Sequence, residues 1–226
     1  MTTKRQCTKL LKPLLDRHDD VAIVDGVMVL KPVHHIVCGV LLDRTSSADD
    51  YRPTRFVCHL FDFAIADYIP IACTFPLHKP PPESALWRHS ISSDAERLIE
   101  VIEQDALPYL RGLRMIEPYF EETQRPHHRS PQFAWPFQRI VLETAVGNFD
   151  AACQIYKEHL INFQTDETEK DAYYRELPGQ MHRLGRLLLA EDRKGLSALL
   201  HEWEEGAVER SGLMPVWQST PFVFEQ

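Results

Sequence analysis

A proline-rich break at residues 78–83 separates two parts of this chain that differ in hydrophobic pattern. The break reads His-Lys-Pro-Pro-Pro-Glu, and consecutive prolines hold a chain extended. Before it, residues 51–77 form the densest run of apolar, β-branched and aromatic side chains, which is typical of strands. After it, apolar residues recur mostly at helical spacing. The pattern predicts an α+β chain with an N-terminal sheet followed by helices.

About five strands in a mainly antiparallel sheet are predicted before the break. Asp25-Gly26 lies between two short apolar runs, and this dipeptide favours the tight turn of a β-hairpin. Pro70 cannot donate a ladder hydrogen bond, so the last strand is expected at a sheet edge. A polar loop is expected at residues 45–53. The predicted strands are residues 21–24, 27–30, 33–42, 55–66 and 68–74.

Helices are predicted before and after this sheet in the sequence, and the first two are expected to pack against one face of it. Apolar residues at helical spacing over residues 3–17 predict a first helix, and Ser93-x-x-Glu96 predicts the capped start of another. Pro178-Gly179 is expected to break a later helix. The predicted organisation is an α+β domain at residues 1–122, a linker at 123–136, and a helical bundle of two hairpins with a docked apolar tail at 137–226.

Two local resemblances accompany this organisation. The segment Ala-Val-Gly-Asn-Phe-Asp-Ala-Ala at residues 145–152, with Tyr156 and Leu160, resembles the middle of a tetratricopeptide-type hairpin. It covers only about 25 residues and no repeat follows it, which favours a two-hairpin bundle over a repeat array. The order of helix, antiparallel sheet and closing helix loosely resembles bacterial immunity-type proteins in topology. That second resemblance implies a protein partner.

Composition narrows the classes of partner and compartment. The five cysteines are odd in number, widely spaced and without a CxxC pair, which indicates reduced thiols. No apolar run approaches the roughly 20 residues that cross a bilayer, so no membrane association and a cytoplasmic location are expected.

The net charge of −8 arises after residue 85, where the chain has 15 Lys and Arg residues but 23 Asp and Glu residues. Such an acidic part is a poor partner for nucleic acid.

Asp62 is the candidate functional residue that stands out most from its surroundings. It lies between Phe61 and Phe63 in the otherwise apolar run, three residues after His59. Such a carboxylate either lies at an edge or bulge of the sheet, where it stays in contact with solvent, or it is a functional group facing a groove between sheet and helices.

Further candidates form a basic cluster in the linker: Arg125, His127, His128 and Arg129, which could bind an anion. A third group could hold zinc if its strands pair, since His34, His35 and Cys38 precede Cys58-His59 on the next strand. The spacing matches no zinc module. No metal or other cofactor is therefore predicted.

The sequence contains none of the common catalytic or nucleotide-binding motifs: GxSxG, GxGxxG, GxxxxGK[ST] and HExxH. We therefore expect a non-catalytic protein that binds another protein, as an interaction or immunity-like regulatory module. Self-association through the edge strand at residues 68–74 is an additional option. Two alternatives stay open: an enzyme of unrecognised class, and a small-ligand binder. Either would use a site between the sheet and the helices around Asp62, His59, His127 and His128.

Overall fold

The computed structural model describes residues 3–45, 47, 49–63, 74–79, 86–125, 136–163 and 172–226. Within these ranges an antiparallel sheet occupies the N-terminal part and helices form most of the rest, which confirms the α+β prediction. None of the described helices has the length and apolar character needed to cross a bilayer.

The sheet has six strands in the described residues, and every pair is antiparallel. They are β1 (Val21–Val24), β2 (Val27–Leu30), β3 (Ile36–Arg44), β4 (Asp50–His59), β5 (Thr74–Pro76) and β6 (Trp87–Arg88). Their order is β1-β2-β3-β4-β5, and β6 also pairs with β4. The predicted hairpin turn is confirmed, since Asp25 and Gly26 both have positive φ, 54° and 86°.

The bounds of β4 differ from the prediction. The strand begins at Asp50, inside the predicted polar loop, and it ends at His59 rather than continuing to residue 66. Pro53 is accommodated within β4 opposite Leu42, and its carbonyl accepts the Leu77 N–H at 2.8 Å. Pro70 and most of the predicted strand 68–74 lie outside the described residues.

The helices are α1 (Lys4–Arg17), α2 (Ser92–Val101), α3 (Leu107–Gly112), α4 (Ile116–Thr123), α5 (Pro136–Ala145), α6 (Phe149–His159), α7 (Ala172–Leu189) and α8 (Arg193–Ser211). A π-helical turn, Ile102–Ala106, joins α2 to α3. Pro108 accounts for this turn, because proline cannot donate to the carbonyl of Gln104 and its ring would clash with it. The pairs α5–α6 and α7–α8 confirm the two helical hairpins.

Two predicted helix signals are wrong. The N-cap of α2 is Ile91, and no side chain caps this helix, so Ser93 lies in the first turn instead of before it. Pro178 and Gly179 lie inside α7 and do not end it. In both cases the tertiary environment, rather than the local signal, determines the helix bounds.

Both faces of the sheet are covered. On one face α1, α2 and α3 pack on a cluster that includes Met28, Cys38 and Val40. On the other face the end of α8 packs on Val37 and Phe56. The segment after α8, residues 213–226, is called the strap below. Its first part, with Leu213, Val216 and Trp217, lies along this second face, whereas Phe222 and Phe224 pack in the larger cluster.

Backbone hydrogen bonds fasten the first part of the strap to the sheet. The N–H of Val33 donates to the carbonyl of Val216, and the N–H of Gln218 donates to the carbonyl of Val33, both at 2.8 Å. The larger hydrophobic cluster combines side chains from both predicted domains, among them Phe61 and Trp203. The division into two domains stays a prediction.

Candidate functional site

His59 and Asp62 lie together in the interior, at the end of β4. Their side chains are 2% and 1% exposed, and His59 Nε2 is 4.0 Å from Asp62 Oδ2. The sequence predicts their proximity, but it also predicts that Asp62 lies on a strand. The chain instead leaves β4 at His59 and carries Asp62 inward, so the solvent-exposed edge position is excluded.

Two helices complete this polar cluster. The hydroxyl of Tyr119, on α4, lies 3.1 Å from His59 Nδ1, and the amide of Gln138, on α5, donates to Asp62 Oδ2 at 2.6 Å. Burial lowers the pKa of His59 to about 3, so the imidazole is neutral at physiological pH. Its Nε2 has no hydrogen-bond partner among the described residues. The described geometry is that of a buried polar link between β4, α4 and α5.

The linker candidates are placed only in part. Arg125 follows α4 and pairs with Glu122, with 2.9 Å between Nη1 and Oε2. His127, His128 and Arg129 lie outside the described residues. Their predicted approach to Asp62 therefore stays a prediction.

A second polar cluster was not predicted from the sequence: Glu204, His201, Glu225 and His35, called the histidine–glutamate chain below. His35 Nδ1 lies 3.0 Å from Glu204 Oε1, and His201 Nδ1 lies 3.4 Å from Glu204 Oε2. His201 Nε2 lies 3.0 Å from Glu225 Oε2. These contacts join the residue before β3, the helix α8 and the strap.

The end of the strap covers the histidine–glutamate chain. Phe222 is fully buried and stacks on the His35 ring with centroids 4.1 Å apart. The Phe222 N–H donates to Glu225 Oε2 at 2.6 Å, and the Ser197 hydroxyl donates to Glu225 Oε1 at 2.5 Å. The i,i+3 spacing of His201 and Glu204 on a helix, followed by an apolar tail, is the only sequence signal for this arrangement.

The charges of the histidine–glutamate chain stabilise one another. Hydrogen bonding to Glu204, and secondarily to Glu225, raises the pKa of His201 above its ordinary value. Burial favours the neutral form of Glu204, but hydrogen bonds from His201 and His35 outweigh burial and hold its pKa below the ordinary value. The fully buried Glu204 is thus kept as a carboxylate by its histidines.

A surface groove of about 670 Å³ runs between α1 and α2. Its apolar part includes Leu10, Pro13 and Ala95. Lys9 projects from the α1 side and Glu96 from the α2 side, and both side chains are exposed. Neither has an ion-pair partner among the described residues, whereas Arg17 at one end of the groove pairs with Glu103 at 3.1 Å.

We also searched for a metal site and compared the sequence with known proteins. Within the described part of the chain no group of three or more His, Cys, Asp or Glu side chains is arranged to hold a metal ion. No family model, curated protein or solved structure matches the sequence.

Proposed function

We propose that this protein binds another protein through the groove between α1 and α2. The observation that carries the proposal is the composition of the groove. Its apolar residues lie between a positively charged side chain of α1, Lys9, and a negatively charged side chain of α2, Glu96, and neither has an ion-pair partner among the described residues. Unpaired charges beside an open apolar surface are available to a partner, and complementary charges across an interface favour correct docking.

The partner that fits this groove is an amphipathic helix. The two walls are helices, and a third helix packs its side-chain ridges between theirs in the usual way. Its apolar face would cover Leu10, Pro13 and Ala95. An acidic residue on one flank would meet Lys9, and a basic residue on the other would meet Glu96.

The enzyme and small-ligand hypotheses remain open beside this proposal. Of the residues they name, the structure describes His59 and Asp62, which lie next to each other and are both buried. A catalytic group must reach the proton that it transfers. The described geometry supports the groove more strongly than this cluster.

Site-specific photo-crosslinking in the native host tests the proposal. Benzoylphenylalanine replaces Lys9 in one variant and the exposed Lys194, on α8, in a control variant. Mapping of the cross-linked peptides should identify, from the Lys9 position, a partner segment with the pattern of an amphipathic helix. The Lys194 position should not capture that segment. Equal capture from both positions, or capture of a second copy of this chain, would contradict the proposal.

The synthetic partner segment then gives a quantitative test. We expect Ala95→Arg, which fills the groove, to weaken binding at least about tenfold. Lys9→Glu should weaken binding, and reversal of the facing charge in the peptide should restore it. Lys194→Glu is the matched control and should change nothing. Circular dichroism and thermal melts verify folding, and an affinity unaffected by Ala95→Arg would overturn the proposed site.

A further inference from the structure

We propose that the histidine–glutamate chain is a pH-dependent latch, which fastens the end of the strap to α8 while His201 is protonated and frees it when His201 is neutral. The inference is independent of the α1–α2 groove. It rests on the geometry of His201, on the buried charge of Glu204 and on the way in which the strap is attached.

The position of His201 between two carboxylates favours the protonated ring. Nδ1 lies 3.4 Å from Glu204 Oε2, and Nε2 lies 3.0 Å from Glu225 Oε2. A carboxylate only accepts hydrogen bonds, so each ring nitrogen faces an acceptor. A neutral imidazole donates from one nitrogen only, and the imidazolium donates from both. Nε2 hydrogen-bonds to Glu225, whereas the contact of Nδ1 with Glu204 Oε2 is an ion-pair contact, because that oxygen has no hydrogen-bond partner among the described residues. A protonated ring places positive charge beside both carboxylates, whereas a neutral ring turns a lone pair toward one of them.

The groups around His201 make its deprotonation costly. Glu204 is fully buried, and its other ionisable contact among the described residues is His35, at 3.0 Å. Glu225 is held by the Ser197 hydroxyl and the Phe222 N–H. The loss of the His201 charge removes the counter-charge that Glu204 and Glu225 share. Glu204 then keeps its contact with His35, and Glu225 keeps those with the Ser197 hydroxyl and the Phe222 N–H. A buried carboxylate without its counter-charge destabilises the contacts that enclose it.

Release would affect only the end of the strap. The first part, up to Gln218, is fastened by backbone hydrogen bonds to Val33 that do not involve His201. The end is fastened by Thr220, whose hydroxyl lies 3.2 Å from His35 Nε2, by Phe222 and Glu225, and by Phe224, whose ring lies edge-on to Phe149 of α6 with centroids 5.1 Å apart. Detachment therefore removes Phe222 from the slot formed by His35, Phe61 and His201 while the sheet stays intact.

The pH window follows from the directions of the pKa shifts. The pKa of His201 is raised above 6.5, so its contribution is complete below pH 6.5 and is lost as the pH rises through the raised value. The pKa values of Glu204 and Glu225 are lowered below 4.5, despite burial, so their contributions are present above pH 4.5 and are lost as the pH falls through the lowered values. The latch is tightest between these limits.

Hydrogen exchange of the strap, corrected for intrinsic rates, tests the latch. Between about pH 5.5 and about pH 8.5 we expect protection of residues 220–226 to fall at least about tenfold. Protection of residues 213–218 and of β3 should stay constant. His201→Gln should give weak protection of residues 220–226 at both pH values. His18→Gln is the matched control, since His18 also pairs with a glutamate, Glu103, at 3.1 Å.

Two results would overturn the latch. One is a His201→Gln variant whose strap keeps the wild-type pH profile. The other is a wild-type strap that loses protection only together with the sheet. If His201→Gln does not fold, Glu225→Gln replaces it, because Glu225 lies in the strap end and is partly exposed. That variant must also lose the pH dependence, and retention of the wild-type profile there equally rejects the proposal.

Discussion

Lys79 and Asp94 form an ion pair inside the protein. The Lys79 Nζ lies 2.8 and 2.7 Å from the two carboxylate oxygens of Asp94, and the two side chains are only 5% and 6% exposed. Asp94 also accepts the Arg88 N–H at 2.7 Å. The pair fastens the chain after β5 to the first turn of α2, which has no capping side chain of its own.

Removal of Lys79 should destabilise the fold strongly. Lys79→Met leaves the Asp94 carboxylate buried without its counter-charge, and we expect a loss of about 3–5 kcal/mol in the free energy of unfolding, measured with urea. Addition of Asp94→Asn should recover part of the loss, since the amide is neutral and still accepts from Arg88. The control is Lys4→Met at the exposed Lys4–Asp25 pair, where about 0.5 kcal/mol or less is expected. Equal losses at both lysines would contradict this account.

Two glycines of α7 should respond to alanine in opposite directions. A Cβ on Gly185 would overlap the Tyr156 ring of α6, whereas a Cβ on Gly179 would meet no atom within 4 Å. Gly185→Ala should therefore cost about 2 kcal/mol or more in unfolding free energy. Gly179→Ala should stabilise the protein by up to about 1 kcal/mol, because alanine favours a helix. Tyr156→Leu should relieve the cost of Gly185→Ala, and a lack of coupling between the two substitutions would show that the ring is not the obstacle.

His59 should make the fold sensitive to mild acid. Its pKa is lowered to about 3 by burial, so the unfolded chain binds the proton more readily, and stability falls as the pH drops below 6.5. Between pH 7 and pH 5 this single residue should remove about 2 kcal/mol. Urea unfolding at both pH values should show this difference in the wild type and lose it in His59→Gln. The exposed His182, which lies 3.2 Å from the Tyr156 hydroxyl, is the control position for the same substitution.

The cysteines should differ in reactivity. Burial raises the pKa of Cys38 to about 12, and reaction requires the thiolate. Cys153, on α6, is partly exposed. Iodoacetamide should therefore label Cys153 in the folded protein at least about 100-fold faster than Cys38, as measured by peptide mass spectrometry. In denaturant the two rates should become similar, and rapid labelling of Cys38 in the native state would reject its buried position.

Some local signals in the sequence predicted local structure correctly, whereas the capping signal at Ser93 and the break at Pro178-Gly179 did not. Asp25-Gly26 requires only its own backbone preference to form a turn, and the helical hairpins require only an apolar face of constant period. The bounds of β4 depended instead on the partner strand, since Pro53 is accommodated by its place opposite Leu42 and beside Leu77. Strand bounds of this kind cannot be read from one segment alone.

The polar clusters could not be predicted because their partners are distant in sequence. Asp62 is buried with a donor from Gln138, 76 residues away, and His35 meets Glu204 across 169 residues. A sequence pattern shows that a polar residue lies in an apolar run, but it does not show which remote side chain satisfies it. His35 and His59 stand out in apolar runs of the sequence, whereas Glu204, next to Glu205, has the pattern of a solvent-exposed helix face.

The strap has a consequence for biosynthesis. The apolar residues of the second face, Val37 and Phe56 among them, lie in strands that end at residue 59, yet their cover comes from Val208, Leu213 and Trp217. Synthesis proceeds from the N-terminus, so this cover is incomplete until residue 217 has left the ribosome. The sheet of the nascent chain thus exposes an apolar surface throughout the synthesis of the helical part, and that is the interval in which a chaperone would have a site to bind.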